Sequence, residues 1–278
     1  MTEAYGVRLA KAVAERGPLC VGIDPHPSLL DAWDLPRTAA GLEQMARGMV
    51  EALGPQVAVF KPQSAFFEAY GSAGIAVLER TLTDIAAAGA LSLLDVKRGD
   101  MSTSMAAYAA AYLADGSPLA ADAITVSPYL GFGSLTGAID LALQHDRGVY
   151  VLALTSNPEG PQFQHARVDD GRMVGQVVVE EAARYNPAGE VGSVGVVVGA
   201  TIGRTGVDFS TLHGSILAPG IGAQGATAAD LAEVFGPATS LVLPSVSREA
   251  MSAGPDPAAL RATTARIRGE MEAVLGVG

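Results

Sequence analysis

The sequence is poor in cysteine and in positive charge, and both shortages exclude classes of protein. Its 278 residues include a single cysteine, Cys20, so no disulfide can form within the chain and a disulfide-stapled secreted fold is excluded. Lysine and arginine number 18 against 29 aspartates and glutamates, a formal net charge of −11. That balance argues against a surface that coats nucleic acid or an anionic membrane. A small anionic ligand remains possible if a few cations converge in one cleft.

Long hydrophobic runs are also missing. Hydrophobic residues make up 49% of the chain, yet no uninterrupted apolar run reaches the roughly 18 residues of a membrane span. Residues 2–16 carry Glu3 and Glu15, which predicts an N-terminal helix rather than a signal peptide. Cys20 lies in an apolar run and is interpreted as a core residue. We therefore expect a cytoplasmic protein that does not bind membranes.

Short β-rich runs alternate with alanine-rich helical stretches along the whole chain. Eight such units in a row predict an α/β fold, a single-domain (β/α)₈ TIM barrel over residues 1–278, with an open doubly wound sheet as the alternative. The predicted strands are Leu19–Ile23, Val57–Phe60, Leu91–Val96, Ala123–Val126, Val149–Leu154, Val194–Val198, Ile216–Ala218 and Leu241–Leu243. The predicted helices include Thr38–Leu53, Gly74–Ala88, Thr103–Ala114, Gly133–Leu143, Gly171–Tyr185 and Thr227–Phe235.

Polar residues recur where the predicted strands end. In a parallel barrel these ends form one rim, which is where active sites are built. Ionisable groups at the ends of the first three strands together are unusual for a structural rim. The rim residues, in strand order, are Asp24, Lys61, Asp95 with Lys97, Ser127, Thr155 with Ser156, Thr201, Pro219 with Gly220, and Ser247 with Arg248.

The densest charge cluster is Asp95-Val96-Lys97-Arg98-Gly99-Asp100. Alternation along a strand predicts that Asp95 and Lys97 share one face. Lys61 reaches the same place from the second strand, and Asp100 lies on the following turn. Flanking carboxylates keep a lysine protonated, and an ammonium in a dry cleft can stabilise a carbanion and then protonate it. A solvated loop of mixed charge is the other interpretation of such a run.

A glycine-rich segment follows the seventh predicted strand. Gly220, Gly222 and Gly225 fit the dinucleotide-binding spacing, but the segment does not follow the first strand, and no ribose-binding acid ends the next strand at Pro244-Ser245. A glycine-rich loop that opens a helix can instead hold a phosphate, through its N–H groups and the helix dipole. The loops after strands seven and eight are the usual phosphate site of barrels, and Arg248 lies on the eighth.

Other catalytic arrangements are missing from the sequence. The four histidines, at 26, 145, 165 and 213, lack metal-ligand spacing. Neither a G-x-S-x-G turn nor a G-x-x-x-x-G-K-[ST] loop occurs. The segment 160–170 is expected to be a surface loop without a role in the chemistry.

From Leu19 to Arg248 the sequence closely resembles the orotidine 5′-phosphate decarboxylase family, in its longer bacterial form. The D-x-K-x-x-D element alone is shared with other sugar-phosphate enzymes of the superfamily, but its combination with Lys61 and the Pro-Gly…Gln-Gly loop is specific. The matching segments are Cys20 to Pro25, Phe60 to Gln63, Asp95 to Asp100, Ala218 to Gly225, and Ser247-Arg248.

The resemblance implies a cofactor-free decarboxylation of orotidine 5′-monophosphate to UMP, without a metal, in a homodimer with shared active sites. It implies that Lys61, Asp95, Lys97 and Asp100 form a row of alternating charges in which Lys97 is the proton donor. It also implies that Asp24 and Lys61 bind the ribose, that Ser156 contacts the pyrimidine, and that Gln224 and Arg248 bind the phosphate. Asp100 and Ser104 would enter the partner's site. Met101 and Ser104 stand where the family often has Ile and Thr.

Three other functions remain open at this point. A magnesium-dependent sugar-phosphate decarboxylase would need an additional carboxylate beside the row. A Schiff-base aldolase would need Lys97 neutral, whereas Asp95 and Asp100 favour its charged form. A non-catalytic barrel that binds a nucleotide monophosphate would need only the phosphate contacts.

Overall fold

The computed structural model describes residues 3–222 and 225–276. Eight parallel strands follow one another in chain order around a closed barrel, and the last strand pairs with the first. This confirms the predicted (β/α)₈ TIM barrel and excludes the doubly wound sheet. The strands are β1 Cys20–Ile23, β2 Val59–Pro62, β3 Leu91–Arg98, β4 Ala123–Val126, β5 Gly148–Leu154, β6 Gly192–Val198, β7 Gly214–Pro219 and β8 Val242–Val246.

Helices cover the outside of the barrel. The α-helices are α1 Tyr5–Arg16, α2 Pro27–Ala32, α3 Ala39–Leu53, α4 Ser64–Glu68, α5 Gly71–Ala87, α6 Ser102–Leu113, α7 Thr136–Gln144, α8 Pro161–Gln164, α9 Val174–Ala183, α10 Ala228–Phe235, α11 Arg248–Met251 and α12 Pro257–Leu275. Short 3₁₀ segments lie at Gly54–Gln56, Phe132–Leu135 and Gly236–Leu241. None of the helices in these described ranges is long and apolar enough to cross a membrane.

The barrel interior is a small apolar core of its own. All eight strands contribute to it, and α1 closes its N-terminal end with Tyr5 and Leu9. The Tyr5 ring meets the Tyr150 ring edge-to-face at a centroid distance of 6.1 Å. Gly148 makes room for this plug, because a Cβ there would lie 2.3 Å from the Tyr5 ring. The opposite end of the barrel is left for polar residues.

A larger core lies between the strands and the helices. It takes the alternate strand residues, such as Phe60, Leu94 and Val96, which point outward from the barrel. Because neighbouring strand residues face opposite ways, the residues between them point inward. This alternation decides which polar side chains reach the mouth of the barrel.

Four strands, β2, β3, β7 and β8, extend further at their C-terminal ends than the sequence predicts. β2 runs to Pro62, so Lys61 lies within the strand rather than after it. β8 was expected to end near Pro244-Ser245, and that expectation is wrong, since β8 continues to Val246. Proline lacks a backbone donor and is typical of strand ends, but Pro244 still pairs in register with Ala218.

The segment 160–170 was expected to be a surface loop, but part of it is helical. It contains the single turn α8, Pro161–Gln164, which packs near the end of β5. The predicted helix over Gly171–Tyr185 is shorter at both ends and spans Val174–Ala183. α12 was not among the predicted helices, although Asp256 caps its start by accepting from the Ala258 N–H at 3.0 Å.

Candidate active site

The C-terminal ends of the strands surround a cavity of about 220 Å³. Asp24 follows β1, Lys61 lies on β2, and Asp95 and Lys97 lie on β3. Gln63 and Thr125 line the same cavity. The sequence predicts that Asp24, Lys61, Asp95 and Lys97 lie at one rim, and the structure brings them together there.

Strand alternation explains why the charged side chains point inward. Val59 on β2 and Leu93 on β3 belong to the barrel interior. Lys61 and Asp95 each lie two residues further along, so they face the same way. Both are almost fully buried, each with 5% of its surface exposed. The barrel thus places an ammonium and a carboxylate directly above its apolar core.

The Asp95 carboxylate receives four hydrogen bonds. Its Oδ2 accepts from Lys61 Nζ at 3.2 Å and from Gln63 Nε2 at 2.8 Å. Its Oδ1 accepts from Lys97 Nζ at 2.6 Å and from Thr125 Oγ1 at 2.7 Å. Two of these donors are cations and two are neutral, and together they fill the acceptor capacity of the carboxylate. Asp95 is therefore held in a single orientation.

The charges of Lys61 and Asp95 stabilise each other. Burial by itself would lower the pKa of Lys61, but the carboxylates of Asp24 and Asp95 outweigh it and raise that pKa above its usual value. Burial would raise the pKa of Asp95, but Lys61 and Lys97 outweigh it and hold that pKa well below its usual range. Both groups are accordingly charged at neutral pH.

Lys97 meets Asp95 as expected, but not through regular strand alternation. The pairing of β3 with β4 shifts register between Leu94 and Arg98. Within this bulge Lys97 has a φ of 44°, in the left-handed region that a non-glycine residue rarely adopts. Its side chain keeps 46% of its surface exposed, against 7% for that of Asp95. The Lys97 ammonium is thus the cation of the cluster that remains accessible to a molecule in the cavity.

Asp24 completes the buried cluster. Its Oδ1 lies 3.9 Å from Lys61 Nζ, too far for a hydrogen bond. That oxygen is buried, and no described residue donates a hydrogen bond to it. A buried carboxylate oxygen in this state is costly. Asp24 is consequently placed to accept a hydrogen bond from a hydroxyl group in the cavity.

A short network positions the polar residues after β5. The Gln164 side chain of α8 accepts from the Thr155 N–H at 2.8 Å and donates to Thr155 Oγ1 at 2.7 Å. Thr155 and its exposed neighbour Ser156 both line the cavity. The segment that looked like an unassigned surface loop therefore supports one wall of the site.

The glycine-rich loop after β7 supports only part of the expectation that its N–H groups and the following helix bind a phosphate. Gly220 and Gly222 have φ values of 111° and 72°, which require glycine. The N-terminus of α10, however, already carries a carboxylate, because Asp230 accepts from the Thr227 N–H at 2.6 Å. The helix-dipole part of that expectation is therefore not supported. Gln224 lies outside the described residues.

Arg248 is the first residue of α11, directly after β8. Its side chain is exposed and makes no hydrogen bond or ion pair with the described residues. It does not line the cavity of about 220 Å³ but lies at the same rim. A strand-end arginine of this kind is available to an anionic group above the cavity.

Asp100 and Ser104 lie apart from the other predicted site residues. Asp100 accepts a hydrogen bond from the Met101 N–H at 2.7 Å, and its side chain does not line the cavity of its own chain. Ser104 is exposed on α6. Met101 leaves 61% of its surface exposed and Leu130 leaves 46%, and both line a surface pocket beside α6. Neither polar residue joins the charge cluster within one chain.

A larger cavity, of about 560 Å³, lies at the opposite end of the barrel between α1, α12 and the strand starts. Its walls are mostly apolar, with Leu9, Val13 and Leu241 among them. It is larger than the cavity at the rim, but the ionisable groups converge at the rim. No three His, Cys, Asp or Glu side chains within 3–222 and 225–276 form a group that could hold a metal ion.

A family model described as the orotidine 5′-phosphate decarboxylase / HUMPS family matches residues 17–263. The chain belongs to this family. An orotidine 5′-phosphate decarboxylase from Salinispora arenicola is 58% identical over 274 residues, covering 98% of this chain and 99% of that protein. One from Streptomyces coelicolor is 54% identical over 270 residues and covers 97% of each.

The solved structures agree with this placement in the orotidine 5′-phosphate decarboxylase family. A crystal structure from Streptomyces avermitilis, described under the same enzyme name, superposes with a TM-score of 0.96 at 54% identity. The superposition covers 99% of this chain and 97% of the Streptomyces avermitilis chain. The similarity therefore includes the whole barrel and the rim that carries the charge cluster.

Three residues of this family member's site were missed by sequence reasoning. Gln63 belongs to a segment that matches the family, and its position two residues after Lys61 predicts the same inward face. Thr125 lies two residues after the inward-facing Ala123 on β4, so strand alternation also predicts that its side chain points into the barrel. Gln164 had no such signal, because its role depends on the path of the chain after β5.

Proposed function

We propose that this chain decarboxylates orotidine 5′-monophosphate to UMP and CO₂, the last step of UMP synthesis. The observation that carries the proposal is the Asp95 carboxylate, held at the mouth of the barrel between the ammonium groups of Lys61 and Lys97. The relatives that are 54–58% identical over nearly the whole chain bear the name of this enzyme, which supports this activity over the sugar-phosphate branch.

The chemistry follows from the order of charges. The bond between C6 of the pyrimidine and its carboxylate carbon breaks, CO₂ leaves, and the electron pair stays on C6. Lys97, the accessible cation, stabilises this carbanion and then transfers a proton to it. Asp95 faces the substrate carboxylate and opposes its charge until CO₂ is lost. No step needs a metal or an organic cofactor.

The remaining rim residues bind the nucleotide. Asp24 and Lys61 hydrogen-bond the ribose hydroxyls, in keeping with the buried Asp24 oxygen that no described residue contacts. Ser156 contacts the pyrimidine edge from the end of β5. Gln224 and Arg248 bind the phosphate from the loops after β7 and β8, the usual phosphate position in barrels.

The working enzyme is a homodimer in which Asp100 and Ser104 enter the partner's site. Met101, which follows Asp100 in the chain, and Leu130, which lines the same surface pocket as Met101, are exposed apolar residues and support an interface there. The whole activity resides in the one barrel domain, because Asp24, Lys61, Asp95 and Lys97 converge at the mouth of its barrel. A cytoplasmic location fits the single cysteine, Cys20, which is buried and needs no oxidising compartment.

The first test is turnover in the presence of a chelator. Purified protein treated with EDTA is incubated with orotidine 5′-monophosphate, and UMP is measured by chromatography. We expect full conversion to UMP at an unchanged rate, because the four charged groups supply the electrostatic stabilisation. Activity that disappears with EDTA and returns with magnesium would favour the sugar-phosphate decarboxylase. Tight binding of UMP without turnover would favour the non-catalytic barrel.

The phosphate contact gives a second prediction. Arg248→Ala is expected to lower kcat/KM for the nucleotide by about 10–100-fold, the value of one charge-assisted hydrogen bond. Turnover of a truncated substrate without the phosphate should hardly change, since the lost contact is remote from C6. Free phosphite should stimulate that truncated reaction in the wild type and much less in the variant.

Arg261→Ala is the matched control, because Arg261 is an exposed arginine on α12 without an ion pair to the described residues. It should behave as the wild type with both substrates. If Arg248→Ala instead loses equal factors on the whole and the truncated substrate, Arg248 has a structural role and the phosphate is bound elsewhere.

A further inference from the structure

Thr125 lies on the inward face of β4, and only 1% of its surface is exposed. One hydroxyl group serves two neighbours there. Its O–H donates to Asp95 Oδ1 at 2.7 Å, while its oxygen accepts from the backbone N–H of Lys97 at 3.0 Å. Thr125 therefore bonds both to the central carboxylate and to the backbone of the accessible lysine.

The β3 bulge makes this hydroxyl necessary. Leu94 pairs with Ile124 and Arg98 pairs with Val126, so the three residues of segment 95–97 lie opposite Thr125 alone. Within that segment the Lys97 N–H donates to the side-chain oxygen of Thr125. A buried N–H without an acceptor is costly, and the Thr125 oxygen replaces the missing ladder partner.

The bulge also forces Lys97 into an unfavourable backbone conformation, with a φ of 44°. A non-glycine residue stays in this region only when its surroundings hold it there. Two hydrogen bonds hold Lys97: its ammonium donates to the Asp95 carboxylate, and its backbone N–H donates to the Thr125 hydroxyl. Both depend on Thr125, because the same hydroxyl also donates to the Asp95 carboxylate and fixes its orientation.

We propose that Thr125 is a positioning residue that sets the distance and direction between Asp95 and Lys97. This inference rests on the proposed function, since it assigns Thr125 a part in the decarboxylation, and it acts through the two charged residues rather than on the substrate. A hydroxyl is required because one atom must donate and accept at once. Serine keeps both bonds with a freer rotamer, whereas valine matches the shape of threonine and makes neither.

The test compares Thr125→Val with Thr125→Ser. For the valine variant we expect kcat to fall by about 10–100-fold, as for a small misplacement of reacting groups, while KM changes far less. The serine variant should recover most of kcat. In a Lys97→Ala background, Thr125→Val should have little additional effect, because coupled residues are not additive.

Thr81→Val is the matched control. Thr81 is also fully buried, but its hydroxyl donates within α5, to the Val77 carbonyl at 2.9 Å. Its kcat should equal that of the wild type even if its melting temperature falls. If Thr125→Val keeps kcat within about twofold of an active wild type, the positioning role is wrong whatever the change in stability.

Amide hydrogen exchange at Lys97 tests the proposal without reference to activity. The Lys97 N–H should exchange faster in Thr125→Val than in the wild type and Thr125→Ser, because its acceptor is gone. Unchanged exchange would overturn the inference. A wild type that exchanges as expected but does not decarboxylate the nucleotide would instead overturn the proposed function and leave Thr125 as the support of the bulge.

Discussion

Lys97→Ala is expected to abolish nearly all decarboxylation while leaving the barrel folded. The substitution removes both the proton donor and the accessible cation facing the developing carbanion. Loss of one electrostatic group of this kind costs about 10²–10³-fold in kcat, and loss of a positioned general acid costs about 10²–10⁴-fold. The two losses act on the same step, so kcat should fall by at least the larger one. Single-turnover measurements with saturating nucleotide would quantify the effect.

Folding should survive because the Lys97 side chain is half exposed and fills no core space. Asp95 keeps its contacts with Lys61, Gln63 and Thr125. Lys97→Arg is the matched variant: it restores a positive charge but offers a guanidinium that does not give up its proton. We expect it to remain far below the wild type, which separates protonation from charge.

Chemical rescue makes the Lys97 experiment sharper. In Lys97→Cys, alkylation with 2-bromoethylamine rebuilds an ammonium at nearly the original position. The chain suits this experiment, because burial raises the pKa of its own Cys20 to about 12 and no surface of Cys20 is exposed. Only the introduced thiol should react. Recovery of kcat on alkylation is expected, and near wild-type kcat in unmodified Lys97→Ala would contradict the proposed chemistry.

Much of this site could be predicted from the sequence because barrel geometry converts strand order into proximity. Asp24 follows β1, whereas Lys61 and Asp95 lie in the C-terminal halves of β2 and β3, and consecutive strands of a parallel barrel are neighbours. A single rule therefore brought three distant positions to one rim. The eight strands themselves were predicted from a different signal, because β-rich runs and helical stretches have different hydrophobic periods.

What could not be predicted depends on local backbone detail. The bulge at Lys97 breaks the alternation from which its direction was derived, yet its ammonium reaches Asp95 by another path. The role of Gln164 depends on a single helical turn in a segment with no periodicity. Sequence patterns report average strand and helix geometry, and these features are departures from that average.

The dimeric site makes the second large prediction. Asp100 lies outside the cavity of its own chain, and its carboxylate accepts only from the adjacent Met101 N–H among the described residues. If it completes the charge row of the partner, Asp100→Ala alone should be nearly inactive, because the Lys97 ammonium loses the carboxylate on its open side. The same chain nevertheless retains an intact Lys97, and this makes a complementation experiment possible.

Lys97→Ala and Asp100→Ala chains, each inactive alone, should therefore restore activity when mixed under conditions of subunit exchange. Each heterodimer has one doubly altered site and one intact site, because the intact Lys97 and the intact Asp100 come from different chains. Random exchange of a two-fold dimer gives about a quarter of the wild-type sites.

The matched control mixes Lys97→Ala with Arg248→Ala. Both of these residues belong to the same chain's site, so neither site in that heterodimer is intact, and the mixture should show no activity beyond the low level of the Arg248→Ala chain itself. Heterodimers separated by two affinity tags would show whether exchange has occurred. If the Asp100 mixture stays inactive after proven exchange, Asp100 does not act across the interface, and the shared-site proposal is wrong.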